Sequence, residues 1–235
     1  MVILPVGATE QHGPHAPFGT DTLTVYEIAK RVSAMTGVLV APPISYGSSL
    51  AHRNFPGTIS LSPHTLIRVV EDVCDWFWKW GIRKIMLLNG HGVNFPPLWV
   101  ALESVRHKYP EIQMTVITWW DVSKEAQKHM FKDQTEGAYH FSPSIAHAGL
   151  GETACVLAYR PELIDMERAV DGPPEVKGLV FKYEFHRLSP HGVKARGIPG
   201  AATAEIGEEI LQATAKVLAE LVERGLAEKI PSMSS

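Results

Sequence analysis

Four short apolar runs recur along this chain, and the residues between them keep a helical period; that alternation leaves few folds open. The runs cover residues 1–6, 38–42, 84–88 and 114–118. Each is apolar nearly throughout rather than at every second position, as suits a strand covered on both faces. Helical stretches are expected from 21 or 22 to about 35, where Gly37 stops the first, and from 63 to 80. The second has Ser62 as cap, Pro63 at its first position and Gly81 as its stop. Others are expected over 98–108, from about 151 onward, and over 204–224 with an end at Gly225. Alternating strands and helices imply the α/β class: a single domain over residues 1–235, with a parallel sheet flanked by helices. Residues 171–202, rich in Gly and Pro, read as an irregular excursion with short strands near 179–185.

Composition removes several function classes. With 45% apolar residues, 235 residues can bury a sizeable core. A net charge of −3 with mixed signs offers no basic footprint, so neither nucleic acid nor an anionic membrane is an expected partner. No run approaches the about 18–20 apolar residues of a membrane span, and no signal peptide opens the chain; the cytoplasm is the expected location. Cys74 and Cys155 sit among apolar neighbours, as buried thiols do.

The densest chemistry follows the first run. Between Glu10 and Asp21 lie two carboxylates and two imidazoles, Glu10, His12, His15 and Asp21, in a loop rich in Gly and Pro. Two later segments repeat the character, Asn89-Gly90-His91-Gly92 and His147-Ala148-Gly149-Leu150-Gly151-Glu152. Taken singly, Asp21 fits a helix cap, Glu152 fits a helix dipole and each histidine fits a hydrogen-bonded loop. Together they fit something else. In an open parallel sheet, residues that follow different strands meet beyond the strands' carboxyl ends. That brings Glu10, His12, Asp21, His91 and Glu152 to one edge. Five such donors without a cation would repel and resist ionisation. Five also exceed what one tetrahedral zinc needs, whereas two ions sharing a carboxylate account for all of them. Oxygen and nitrogen ligands suit Zn²⁺, Mn²⁺ or Fe²⁺. Trp119 and Trp120 end the fourth run on the same side and, with Phe55, are candidate substrate contacts. Trp76 and Trp80 share a helix face that suits core or self-association.

At these residues the sequence resembles the creatininase (creatinine amidohydrolase) family. The resemblance runs through residues 4–15, Gly19-Thr20-Asp21, Phe55-Pro56-Gly57-Thr58, Asn89-Gly90-His91-Gly92, His147-Ala148-Gly149 and Glu152-Thr153. It implies a metal-dependent amidohydrolase with two divalent ions, Zn²⁺ or Mn²⁺, held by Glu10, His12, Asp21, His91 and Glu152. Asp21 would bridge the ions, and His147 would assist proton transfer as the catalytic residue. It also implies a homo-oligomer, often a hexamer. Three features depart from creatininase itself, one being Ala16 and Phe18 in the first loop in place of two leucines. Val93 stands where that enzyme has an additional carboxylate ligand, and Pro143 stands where it has a substrate-facing tryptophan. The expected substrate is therefore a small cyclic amide, lactam or formamide other than creatinine, attacked by a hydroxide bridging the ions. A peptide substrate, or a metal-binding protein without catalysis, are the competing readings, and His147 argues against the last.

Overall fold

A computed structural model of the chain describes residues 1–130, 147–173, 184–194 and 201–229. Among them β1 (Val2–Val6), β2 (Leu39–Val40), β3 (Lys84–Asn89) and β4 (Gln113–Thr118) form a four-stranded sheet in the order β2-β1-β3-β4. Every pairing is parallel, with Val6 opposite Asn89 and Asn89 opposite Thr118. Side chains along a strand alternate between faces. In β3, Ile85 and Leu87 enter one core while Met86 and Leu88 enter the other. Both faces are thus covered, which is why these strands read as unbroken apolar runs.

Helix α1 (Thr20–Thr36) shares the first face with α4 (Lys124–Met130), α5 (Leu150–Tyr159) and the last helix, numbered α7 (Ala204–Ala227). On the other face lie α2 (Pro63–Lys79) and α3 (Phe95–Lys108). The short α6 (Phe185–Leu188) sets the Phe185 ring against those of His52 and His147. Cys74 and Cys155 belong to opposite cores and are free thiols, as their apolar neighbours imply.

The expected caps are present: the Ser62 side chain accepts from the Thr65 amide, and Gly37 takes a left-handed φ of 72° to close α1. Other boundaries move for physical reasons. Helix α3 begins three residues earlier than its period suggests, because Pro96 and Pro97 fall in the first turn, where a missing N–H costs nothing. Helix α7 continues past Gly225 because the Lys84 ammonium donates to the carbonyls of Gly225, Leu226 and Glu228 at 2.7–2.8 Å. A cation there satisfies terminal carbonyls and complements the dipole. Strand β2 shortens to two residues before Pro42 and Pro43, which have no N–H to donate. Of the short strands expected at 179–185, residues 179–183 lie outside the described residues, and Phe185 opens α6 instead. No described helix is long and apolar enough to cross a membrane. Trp76 and Trp80 are not core: they are 53% and 67% exposed on the outer face of α2.

Candidate metal centre

Three connections carry the site, all at the carboxyl ends of the central strands. Glu10 and His12 lie in the loop between β1 and α1, whose shape is fixed by a Glu10 N–H bond to the Phe18 carbonyl and a bridge between His12 and Ala16. Asp21 is the second residue of α1; Gly19 is its cap and makes no side-chain bond, so Asp21 is not spent on capping. His91 follows β3. A side chain at Gly90 would come within 2.7 Å of the Asp21 carbonyl, so this glycine lets the first turn of α1 press against the β3 end. Glu152 sits in the first turn of α5.

All five expected ligands converge, and all are buried. Their ligating atoms form two overlapping triads, Glu10–Asp21–His91 and His12–Asp21–Glu152, each with its atoms within 4.8 Å of one another. Asp21 belongs to both. His12 Nε2 is 3.2 Å from Asp21 Oδ1 and 3.8 Å from Glu152 Oε1. His91 Nδ1 is 3.2 Å from Asp21 Oδ2 and 3.3 Å from Glu10 Oε1.

Hydrogen bonding on the far side of each ring gives these contacts their meaning. His12 Nδ1 lies 3.1 Å from the Glu10 carbonyl oxygen, and His91 Nε2 lies 3.1 Å from the Ser48 carbonyl oxygen. A carbonyl only accepts, so those nitrogens carry hydrogen, and it is the other nitrogen of each ring, the one a metal would bind, that faces the carboxylates. Metal-binding histidines are held in this way. Glu10 Oε1 and Oε2, His12 Nε2, Asp21 Oδ2 and Glu152 Oε2 are buried with no hydrogen bond. Buried polar atoms left so are costly and call for an explanation, and a cation between them is one. The donor set therefore fits divalent metal.

The electrostatics agree. Burial alone would push both imidazoles down, but Asp21 and Glu152 hold His12 well above the usual value, and Glu10 with Asp21 raises His91 to about 9. Burial lifts Glu10 to about 7 against the pull of His91. Asp21, despite burial, is held below the usual carboxylate range by His12 and His91. The cluster draws positive charge.

His147 stands over this pair of triads. Its Nδ1 is 3.5 Å from Glu10 Oε1, and its ring centroid is 4.5 Å from that of His12. With Glu10 and His12 it forms a third group of compatible spacing. Its backbone pairs with Lys194 in both directions, and the next residue, Ala148, takes a left-handed φ of 52°. A non-glycine residue there costs about 1–2 kcal/mol, and such strain gathers at functional sites. Burial and then the neighbours His12 and His52 hold the His147 pKa well below the usual value.

The substrate candidates divide. Phe55 lies close by, its ring 6.4 Å from both His52 and Phe185. Trp119 and Trp120, 1% and 4% exposed, pack edge to face with each other and belong to the core cluster of Met86, Leu88 and Cys155. The end of β4 turns them into the α1–α7 layer, where their apolar area is buried. Pro143 lies outside the described residues. His52 and Gln11, neither anticipated, are both at the centre. His52 is buried, 4.4 Å from the His147 ring and 3.8 Å from Glu10 Oε1. It follows β2, and strand-end logic applies to it as it does to Glu10 and His91. Gln11, an uncharged residue between two members of the cluster, gave no comparable signal.

Comparison with known proteins identifies the family. A family model, creatininase (creatinine amidohydrolase), matches residues 1–222. A 3-dehydro-scyllo-inosose hydrolase of Thermotoga maritima is 38% identical over 74% of the chain, which spans 55% of that relative's length. The creatinine amidohydrolase of Pseudomonas putida is 32% identical over 94% of the chain and 88% of its own length. A mycofactocin precursor peptide peptidase of Mycolicibacterium smegmatis is 30% identical over 95% and 85%. A crystal structure of creatininase superposes with a TM-score of 0.83 at 28% identity, covering 97% of this chain and 91% of that one. A Zn–Zn type creatininase mutant gives 0.82 at 30% identity, and a manganese creatininase gives 0.78 at 30%, each covering 95% and 90%.

Proposed function

Because the chain belongs to the creatininase family, a family of metal-dependent hydrolases, we propose that it cleaves the C–N bond of a small cyclic amide, lactam or formamide at a pair of divalent ions. The observation that carries this reading is the sharing of Asp21 by two triads whose imidazole nitrogens and unpartnered carboxylate oxygens face one another. Glu10, Asp21 and His91 would hold one ion, and His12, Asp21 and Glu152 the other, as Zn²⁺ or Mn²⁺. Such ions supply an activated water and a Lewis acid for the amide carbonyl.

The rest of the chemistry belongs to the chain. His147 Nε2 lies 2.7 Å from the Gln11 carbonyl oxygen, so Nε2 carries the hydrogen and Nδ1 faces the cluster as an acceptor. Its depressed pKa keeps that nitrogen unprotonated at neutral pH. Nδ1 takes a proton from the attacking water; as the C–N bond breaks, it gives that proton to the departing nitrogen, which leaves poorly as an anion. Phe185, 5.1 Å from the His147 ring, covers the imidazole on the outer side. The exposed Trp76 and Trp80 supply a face for a homo-oligomer.

The three relatives carry three different substrates in their names, so the family does not choose the substrate. With Val93 at a position where creatininase has a carboxylate, creatinine should be turned over poorly. The test is metal analysis of the purified protein, followed by a screen of lactams, hydantoins, formamides, creatinine and short peptides. Turnover of lactams or formamides in the metal-loaded protein, abolished by a chelator, is the expected result. Turnover of peptides alone would move the reading to a peptidase, and turnover of nothing, with no metal retained, would overturn it.

A further inference from the structure

We infer that His52 is a second working imidazole of this site, a fixed N–H donor set beside the acceptor nitrogen of His147. The inference rests on the hydrolase reading above and adds to it the means by which an amide is gripped. It follows from where hydrogen must lie around Gln11. The Gln11 Oε1 atom accepts from the Gly13 amide at 2.9 Å, and Nε2 donates to the Gly192 carbonyl at 2.9 Å. Turning the carboxamide over would set NH₂ against N–H and oxygen against oxygen, so its orientation is determined. Nε2 also lies 2.8 Å from His52 Nδ1 and 3.0 Å from His147 Nε2; the 2.7 Å contact of His147 Nε2 with the Gln11 carbonyl oxygen puts a hydrogen on that ring nitrogen, so the second amide hydrogen goes to His52. An amide nitrogen only donates, so His52 Nδ1 accepts and the ring hydrogen sits on Nε2, which lies 3.8 Å from Glu10 Oε1.

His147 is fixed from the opposite side. The backbone carbonyl of the same Gln11 takes the hydrogen of His147 Nε2, leaving Nδ1 as the acceptor 3.5 Å from Glu10 Oε1. One residue thus sets both rings, through its side chain for His52 and its main chain for His147. The rings lie 4.4 Å apart, and Phe185 packs on both, 4.5 Å from His52 and 5.1 Å from His147. The His52 and His147 nitrogens that approach Glu10 Oε1 are committed, one to donate and one to accept. An amide group presents an acceptor oxygen and a nitrogen that must gain hydrogen as it leaves. A donor and an acceptor held side by side match those two demands, with His52 serving the oxygen and His147 the nitrogen.

Gly192 supports this assignment. Its φ is +75°, and a side chain there would meet Gln11 Oε1 at 1.8 Å. The turn carrying Gly192 is thereby pressed onto the Gln11 amide. The same stretch holds Lys194 against the His147 backbone.

Two measurements on the full chain test the inference. Long-range ¹H–¹⁵N correlation spectra of ¹⁵N-histidine protein, with and without Zn²⁺, should give His52 and His147 as neutral Nε2–H tautomers. Gln11→Leu should remove the single tautomer of His52 while His12 and His91 keep theirs, since backbone carbonyls hold those two. Separately, His52→Phe keeps the ring packing and deletes the donor. Its kcat should fall on the order of 10²-fold, the loss expected for one preorganised donor, with KM changing less and metal content unchanged. His52→Gln, which retains a donor, should recover part of that loss. An Nδ1–H tautomer for His52, unchanged kcat in His52→Phe, or loss of metal from that variant would overturn the assignment; metal loss would mean that His52 only supports Glu10. Failure of wild-type protein to hydrolyse any amide would instead count against the hydrolase reading, and the spectra would still decide the donor.

Discussion

The residue that separates an enzyme from a passive metal binder is His147, and its surroundings make its role measurable. No second-row task such as fixing a ligand's tautomer falls to it, because His12 and His91 are fixed by backbone carbonyls. His147→Ala should therefore keep its metal and fold and lose a factor of roughly 10²–10⁴ in kcat. The loss should shrink for substrates with a good leaving nitrogen, such as an activated anilide; an equal loss for all leaving groups, or metal loss, would assign the residue to binding or coordination. His15 gives a pH-dependent prediction. It is buried beside Thr153, and burial followed by the charge of His12 lowers its pKa to about 4. The unfolded chain takes up a proton on this residue near the ordinary value of about 6.5, and the folded chain only near 4. The stability at stake is whole above pH 6.5 and is lost as the pH falls toward 4. Urea midpoints should fall less steeply in His15→Gln over that window, by at most about 1.4 kcal/mol per pH unit; parallel profiles would contradict this. The candidate cluster was legible in the sequence because carboxylates and imidazoles crowded into glycine-rich loops have few other uses. Gln11 was not, since its importance lies in which atom accepts and which donates, and no spacing expresses that. For Trp119 and Trp120 a strand end gave the side of the sheet but not the direction a ring takes.

At the level of elements, the site depends on how closely helices approach the strand ends. Glu152 rides on α5, and α5 is packed against α7 through Gly207. A side chain at Gly207 would meet the Ala154 carbonyl oxygen at 1.8 Å, and a helix backbone cannot move aside cheaply. Gly207→Ala should therefore destabilise the protein by about 1–3 kcal/mol through overpacking, more than the roughly 1 kcal/mol that alanine gains over glycine in a helix. A urea midpoint equal to or above that of the wild type would show that the helices can separate freely. The elements themselves were legible wherever the local signal was complete, as with Ser62, Pro63 and the apolar face of α2. What escaped were effects of distant partners. Lys84 extends α7 from more than a hundred residues away, and the short α4 becomes visible only with Ser123 bonded to its first turn.

For the whole molecule, the sheet order explains why one edge carries the chemistry. The chain reverses direction between β1 and β3, and Glu10, His12 and His91 emerge on either side of that point, where ligands bind in open parallel sheets. This architecture was legible from the alternation of runs and helices; the outer surface was not, because a helix face reads alike whether a core or a second subunit covers it. Trp76 and Trp80 lie 5.9 Å apart on that outer face. Self-association through it predicts that Trp80→Glu lowers the mass measured by light scattering, and an unchanged mass would place the interface elsewhere. The central claim remains the shared carboxylate. Metal content per chain, measured by mass spectrometry after loading with Zn²⁺ or Mn²⁺ and desalting, tests it directly in the wild type, Asp21→Ala and His147→Ala. The account predicts two ions in the wild type, two in His147→Ala and a collapse toward none in Asp21→Ala; a single ion in the wild type, or full content in Asp21→Ala, would contradict it.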